Sequence, residues 1–122
     1  MTLVVVTRYL VPAGEGSAFH ERAREALDAL AAQRGCRRGH VGRSMDEPDR
    51  WLLQTEWESV GAYRRALSSF DVKVRAVPVM YLAIDEPTAY EALVSTSPAG
   101  LVDGRSDRAE GAASASPGDG GR

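Results

Sequence analysis

The sequence predicts an α+β fold: a ferredoxin-like, four-stranded antiparallel sheet with its helices on one face. Three observations lead there. Segments whose apolar residues recur every second position alternate with segments of helical period. Their order is strand, helix, strand, strand, helix, strand, the split β-α-β arrangement. The two middle strands are separated by Asp46-Glu47-Pro48-Asp49, a turn that joins them as an antiparallel hairpin.

Leu3 to Val11 is β-branched and free of breakers until Pro12, so it forms the first strand. Leu3, Val5, Thr7, Tyr9 and Val11 share one face; Val4, Val6, Arg8 and Leu10 share the other. Both faces are largely apolar, so both are expected to be covered. After the turn at Pro12-Ala13-Gly14, residues 15–34 carry an apolar stripe of Phe19, Ala23, Ala26, Leu27, Leu30 and Ala31, which predicts a helix. Gly35 is placed to end it. Cys36 to Met45 is a weaker strand, in which Gly39 and Gly42 mark a bulge or a close backbone approach.

Arg50 to Leu67 then turns from strand to helix. Trp51, Leu53, Thr55 and Trp57 alternate onto one strand face. Ser59 offers an N-cap hydroxyl for a helix running to Ser69. Both tryptophans of the chain lie in this corner, with Tyr63. Residues 71–84 fit a strand by their valines. They also fit a helical stripe through Phe70, Val74, Val77, Tyr81 and Ile84, and the helical reading, broken near Pro78, is preferred. Residues 88–94 form the last strand.

A chain of 122 residues fits one domain, placed at residues 2–94. Residues 95–122 are mostly Gly, Ala, Ser and charge, with Leu101 and Val102 their only large aliphatics. Such a segment buries too little surface to offset ordering entropy, so a disordered tail is expected. A domain this short gains from a partner subunit. Helices on one sheet face leave apolar side chains on the other, and two copies meeting sheet to sheet would cover them. A symmetric homodimer is therefore predicted.

Several functional classes find no support. The net charge of −2 argues against a nucleic-acid surface, and the basic run of Arg34, Arg37 and Arg38 is short. A single cysteine, Cys36, excludes an internal disulfide and a multi-cysteine zinc site. The two histidines, His20 and His40, have no acidic ligand at helical spacing. There is no glycine-rich phosphate loop with its lysine and no nucleophile elbow. The first residues have neither the basic region nor the cleavage site of a signal peptide, and their apolar run is too short to span a bilayer. A cytoplasmic protein without membrane contact is the expectation.

The element order, the hairpin ending in TEWES, and Tyr63 six residues after Trp57 resemble the antibiotic biosynthesis monooxygenase family over residues 2–94. The resemblance implies a dimeric α+β barrel with a cleft between sheet and helices. It also implies oxygenation of aromatic phenols or quinols by dioxygen without metal, flavin or haem. Trp57 and Tyr63 match aromatic residues that line the cleft of anthrone-oxidising members. Arg75 lies in the region from which such members supply an arginine. Leu53 stands where they carry an asparagine, and leucine donates no hydrogen bond. The haem-degrading branch has a histidine on the second helix; here that region is Ala66, Leu67, Ser68 and Ser69.

The candidate catalytic residues are thus Trp57 as a stacking surface, Tyr63 as a hydrogen-bond donor, Arg75 as an anion-stabilising cation and His40 as a base. Arg8, Leu53, Trp57 and Tyr63 are candidates to line the substrate site. Arg8 is a charge on a two-sided apolar strand, which must find a partner such as Glu56 or a cavity. Three functions remain open: a cofactor-free monooxygenase of polyketide or antibiotic tailoring, a non-catalytic ligand-binding or cyclase-accessory module on the same fold, and a structural dimerisation domain carrying a flexible tail.

Overall fold

A computed structural model describes residues 2–104. Strand β1 (Leu3–Leu10) is followed by helix α1 (Gly16–Ala31), then the hairpin of β2 (Cys36–Arg43) and β3 (Arg50–Trp57). Three short helices follow: α2 (Val60–Leu67), α3 (Phe70–Arg75) and α4 (Val77–Met80). Strand β4 (Ala89–Glu91) completes an antiparallel sheet of order β2-β3-β1-β4. This is the predicted ferredoxin-like topology.

The two-residue period sets the core. In the β1–β3 register, Leu3 faces Trp57, Val5 faces Thr55, Thr7 faces Leu53 and Tyr9 faces Trp51. All eight of these side chains are buried against the helices. Phe19, Ala23, Ala26, Ala29 and Leu30 of α1 pack onto them. Ala29 takes the inward position expected of Ala31, which is exposed. The run of alanines lets α1 sit close to the sheet. At Gly39 a Cβ would lie 2.6 Å from Leu27 Cδ1 and 2.9 Å from the Gln54 carbonyl oxygen, so the close approach foreseen there is real. The bulge falls between Cys36 and Arg38. It turns Cys36 inward beside Trp57, off the face of His40 to which simple alternation assigned it.

Helix α1 ends at Ala31, three residues before the predicted limit. Gly35 instead turns the chain into β2 with φ of 92°, where a Cβ would lie 2.5 Å from that of Ala62. Residues 70–80 are helical, as preferred. The break comes at Ala76, not at Pro78, which sits in the first turn of α4, where its missing N–H leaves no helical bond unmade.

Two expectations need correction. Residues 95–104 are not a structureless tail: β5 (Val94–Ser97) and β6 (Gly100–Asp103) form a separate hairpin. Ser97-Pro98-Ala99-Gly100 makes its turn, with Gly100 at φ of 118°, and backbone pairing orders a segment too poor in apolar residues to form a core. The remainder of the predicted tail, 105–122, lies outside the described residues. Strand β1 is not covered on both sides within this chain. Val4 and Val6 are half-buried, and Arg8 and Leu10 are exposed.

Candidate active site

The strand-to-helix corner forms as its sequence foretold. Ser59 is extended (φ −164°, ψ 163°), and its Oγ accepts from the Ala62 N–H at 3.0 Å, starting α2. The cap orients α2 so that Tyr63 meets Trp57, with ring centroids 5.4 Å apart and planes tilted by 53°. Trp57 is fully buried, and its Nε1–H donates to Thr55 Oγ1 at 2.8 Å. Burial raises the Tyr63 pKa above the usual phenol value, and neighbouring Tyr9 adds to the effect. Tyr63 is therefore a neutral hydrogen-bonding group near neutral pH. Trp51 packs in the core, edge-on to Phe19 and beneath the Arg43 guanidinium.

A cleft of about 550 Å³ opens between β1, the start of β4 and the helices. It is lined by Thr7, Leu67, Lys73, Val77, Met80, Tyr81 and Thr88. Leu67 lies one turn beyond Tyr63 on the same side of α2, so the aromatic corner continues into the cleft wall. Thr7 is only 3% exposed. Its Oγ1 lies 2.7 Å from Tyr9 Oη and 3.3 Å from the Leu53 carbonyl oxygen. Burial raises the Tyr9 pKa, and the contact with Thr7 partly opposes the rise. The cleft thus has apolar walls, three hydroxyl-bearing residues (Thr7, Thr88 and Tyr81) and one cation, Lys73.

The other sequence candidates lie elsewhere. Leu53 is buried in the core opposite Thr7, so its side chain serves packing. His40 is exposed and pairs in register with Gln54 on the sheet face away from the helices. Arg8 is on that same outer face. It makes a two-pronged ion pair with Glu86, Nε to Oε2 at 2.6 Å and Nη2 to Oε1 at 2.8 Å. The suggested partner Glu56 instead faces Val4 in the β1 register and lies 3.7 Å from Arg38. Arg75 is held on the side of α3 that meets α1. Asp28 at 2.8 Å, Glu25 at 3.0 Å and Asp71 at 3.0 Å surround its guanidinium and raise its pKa further. Among the described residues, no group of three or more His, Cys, Asp or Glu is placed to hold a metal. No helix there is long and apolar enough to cross a membrane.

Residues 2–74 match the sequence profile of the family described as antibiotic biosynthesis monooxygenase. The chain belongs to that family. Solved structures agree in fold. SnoaB, a cofactor-independent oxygenase from Streptomyces nogalater, superposes with a TM-score of 0.61 at 22% identity, covering 86% of this chain and 94% of SnoaB. An asparagine-to-alanine variant of SnoaB gives 0.67 at 23% identity, covering 80% and 97%. A conserved protein from Methanosarcina mazei gives 0.62 at 18% identity, covering 74% and 91%. No functionally curated protein matches the sequence.

Within this monooxygenase-family fold, Trp57 and Tyr63 touch each other, but neither is among the residues that line the cleft; His40, Arg8 and Arg75 lie apart from both. Sequence reading missed Thr7, Tyr9 and Lys73. For Thr7 a signal was present: a hydroxyl on the buried face of an apolar strand needs a partner. Lys73 gave none, because α3 is too short to show a face.

Proposed function

We propose that this chain is a cofactor-independent monooxygenase that oxidises a flat phenolic, anthrone-like or quinol-like aromatic, in the tailoring of a polyketide or antibiotic-type product. The observation that carries the reading is the cleft of about 550 Å³ between sheet and helices in a member of this family. Its size suits a ring system of a few fused rings. Apolar Leu67, Val77 and Met80 shed water from the rings. Thr7, Thr88 and Tyr81 offer hydroxyls to a substrate oxygen, and Lys73 favours an anion.

The chemistry asks little of the protein. The substrate loses a proton, its anion passes an electron to dioxygen, and the radical pair recombines to a carbon–oxygen bond. At an anthrone-type methylene, one oxygen atom becomes the new carbonyl and the other leaves as water. The protein's part is to stabilise the anion, orient the rings and exclude solvent. No carboxylate or imidazole is among the cleft-lining residues. The reading therefore requires a substrate acidic enough to ionise near neutral pH, and kcat/KM should rise as pH rises through the substrate's own pKa. The test is incubation of the purified protein with anthrones and naphthalene-type quinols in air, following quinone absorbance and oxygen uptake. Consumption of one dioxygen per quinone, with one of its oxygen atoms in the product and no hydrogen peroxide released, supports the reading.

One observation favours a second reading, a ligand-binding or cyclase-accessory module. The position that carries asparagine in anthrone-oxidising relatives is here Leu53, an apolar core residue. Saturable binding of such aromatics without oxygen uptake would decide for it.

The proposal includes a homodimer formed through the outer sheet face. Leu10 and Tyr90 are 55% and 52% exposed there, beside half-buried Val4, Val6 and Leu52. A sedimentation coefficient of a monomer at micromolar concentration would refute this part.

A further inference from the structure

We infer that Thr7 is the hydrogen-bond donor to the substrate's oxyanion, and that Tyr9 is the positioning residue that frees Thr7 for the task. The inference rests on the reading of the cleft as an oxygenase site. It begins from one proton. Tyr9 is 1% exposed, and Thr7 Oγ1 at 2.7 Å is the hydrogen-bond partner of its hydroxyl among the described residues. A buried phenol that accepted from Thr7 would leave its own proton without an acceptor, which is costly. Tyr9 therefore donates, and Thr7 Oγ1 accepts.

The Thr7 proton is then left with the Leu53 carbonyl oxygen at 3.3 Å, well beyond the usual O–H···O distance. That bond is weak and readily exchanged for a better acceptor. Thr7 lines the cleft, so a ligand oxygen can approach it. A hydroxyl that is already accepting from a phenol is a stronger donor, because chained hydrogen bonds polarise one another.

Two measurements test this on the full chain. The first uses a monohydroxyanthraquinone, whose neutral and ionised forms differ in colour, as a bound probe titrated with pH. A donor to the phenolate lowers the bound probe's pKa. Thr7→Val, of equal shape without the hydroxyl, should raise that pKa by about one unit, a tenfold change in ionisation. Thr7→Ser should keep the wild-type value, and Tyr9→Phe should lose about threefold in ionisation, part of the effect. The second is turnover, in which Thr7→Val should lower kcat by about 100-fold with KM little changed. Should Thr7→Val fail to fold, the contrast of Thr7→Ser with Tyr9→Phe carries the test. Equal probe pKa in wild type and Thr7→Val, or in wild type and Tyr9→Phe, overturns the inference. A probe shift without turnover sustains the donor and refutes the oxygenase. Turnover that is indifferent to Thr7→Val does the reverse.

Discussion

The role of Trp57 can be separated into packing and chemistry by replacing it with phenylalanine. The ring is fully buried, its Nε1–H donates to Thr55 Oγ1 at 2.8 Å, and it touches Tyr63. Trp57→Phe removes that hydrogen bond, worth about 1 kcal/mol. It also leaves roughly 40 Å³ of unfilled space, costing about 1 kcal/mol at ~24 cal/mol per Å³. The expected loss is about 2 kcal/mol, against a total stability of about 5–10 kcal/mol for a domain of this size. With a urea slope of about 1.2 kcal/mol per M, the midpoint should fall by roughly 1.7 M. Trp57→Ala, costing about 3–5 kcal/mol, would leave too little folded protein to interpret. The assay is urea unfolding followed by far-ultraviolet circular dichroism, with binding measured on the folded fraction. Because Trp57 faces Tyr63 and not the open cleft, ligand affinity should change less than threefold. A variant as stable as wild type that had lost its ligand affinity would refute this reasoning and make Trp57 a direct ligand contact.

Other outcomes follow from the same geometry. Gly39→Ala should destabilise by about 1–3 kcal/mol in thermal unfolding, because its methyl meets a backbone oxygen that has no room to move. Tyr9 and Tyr63 both have pKa values raised by burial above 10.0. A folded pKa above the unfolded one means that their contribution is intact below pH 10 and is lost as pH rises beyond it. Unfolding scans should therefore show no pH dependence from these groups at neutrality and a falling Tm above about pH 10. Lys73→Met should weaken binding of a carboxylated aromatic about fivefold while leaving its neutral parent unchanged, and 0.5 M salt should erase the difference. Equal losses for both ligands in a calorimetric titration would show that Lys73 acts through packing alone.

The comparison of chain and structure separates two kinds of knowledge. Local periodicity and punctuation already determined the four-stranded sheet, the order of its elements, the Ser59 cap and the gathering of Trp57 and Tyr63 at the strand-to-helix corner. These depend on neighbours within a few residues, where backbone geometry alone decides which side chains share a face. The resemblance to a family of known fold pointed to a cleft between sheet and helices.

Tertiary structure decided the rest. Arg75 faces three carboxylates of α1 and α3 because α3 packs against α1. Arg8 found Glu86, seventy-eight positions away, and no local pattern announces such a pair. The bulge after Cys36 moved one residue to the other sheet face. Thr7 and Tyr9 share a face by alternation within β1, but Leu53 met Thr7 through strand register, which is a property of the assembled sheet. A single strand reveals that a side chain points inward. Only the packed layers reveal whether it meets the core or an open cleft, because that depends on where the helices leave space.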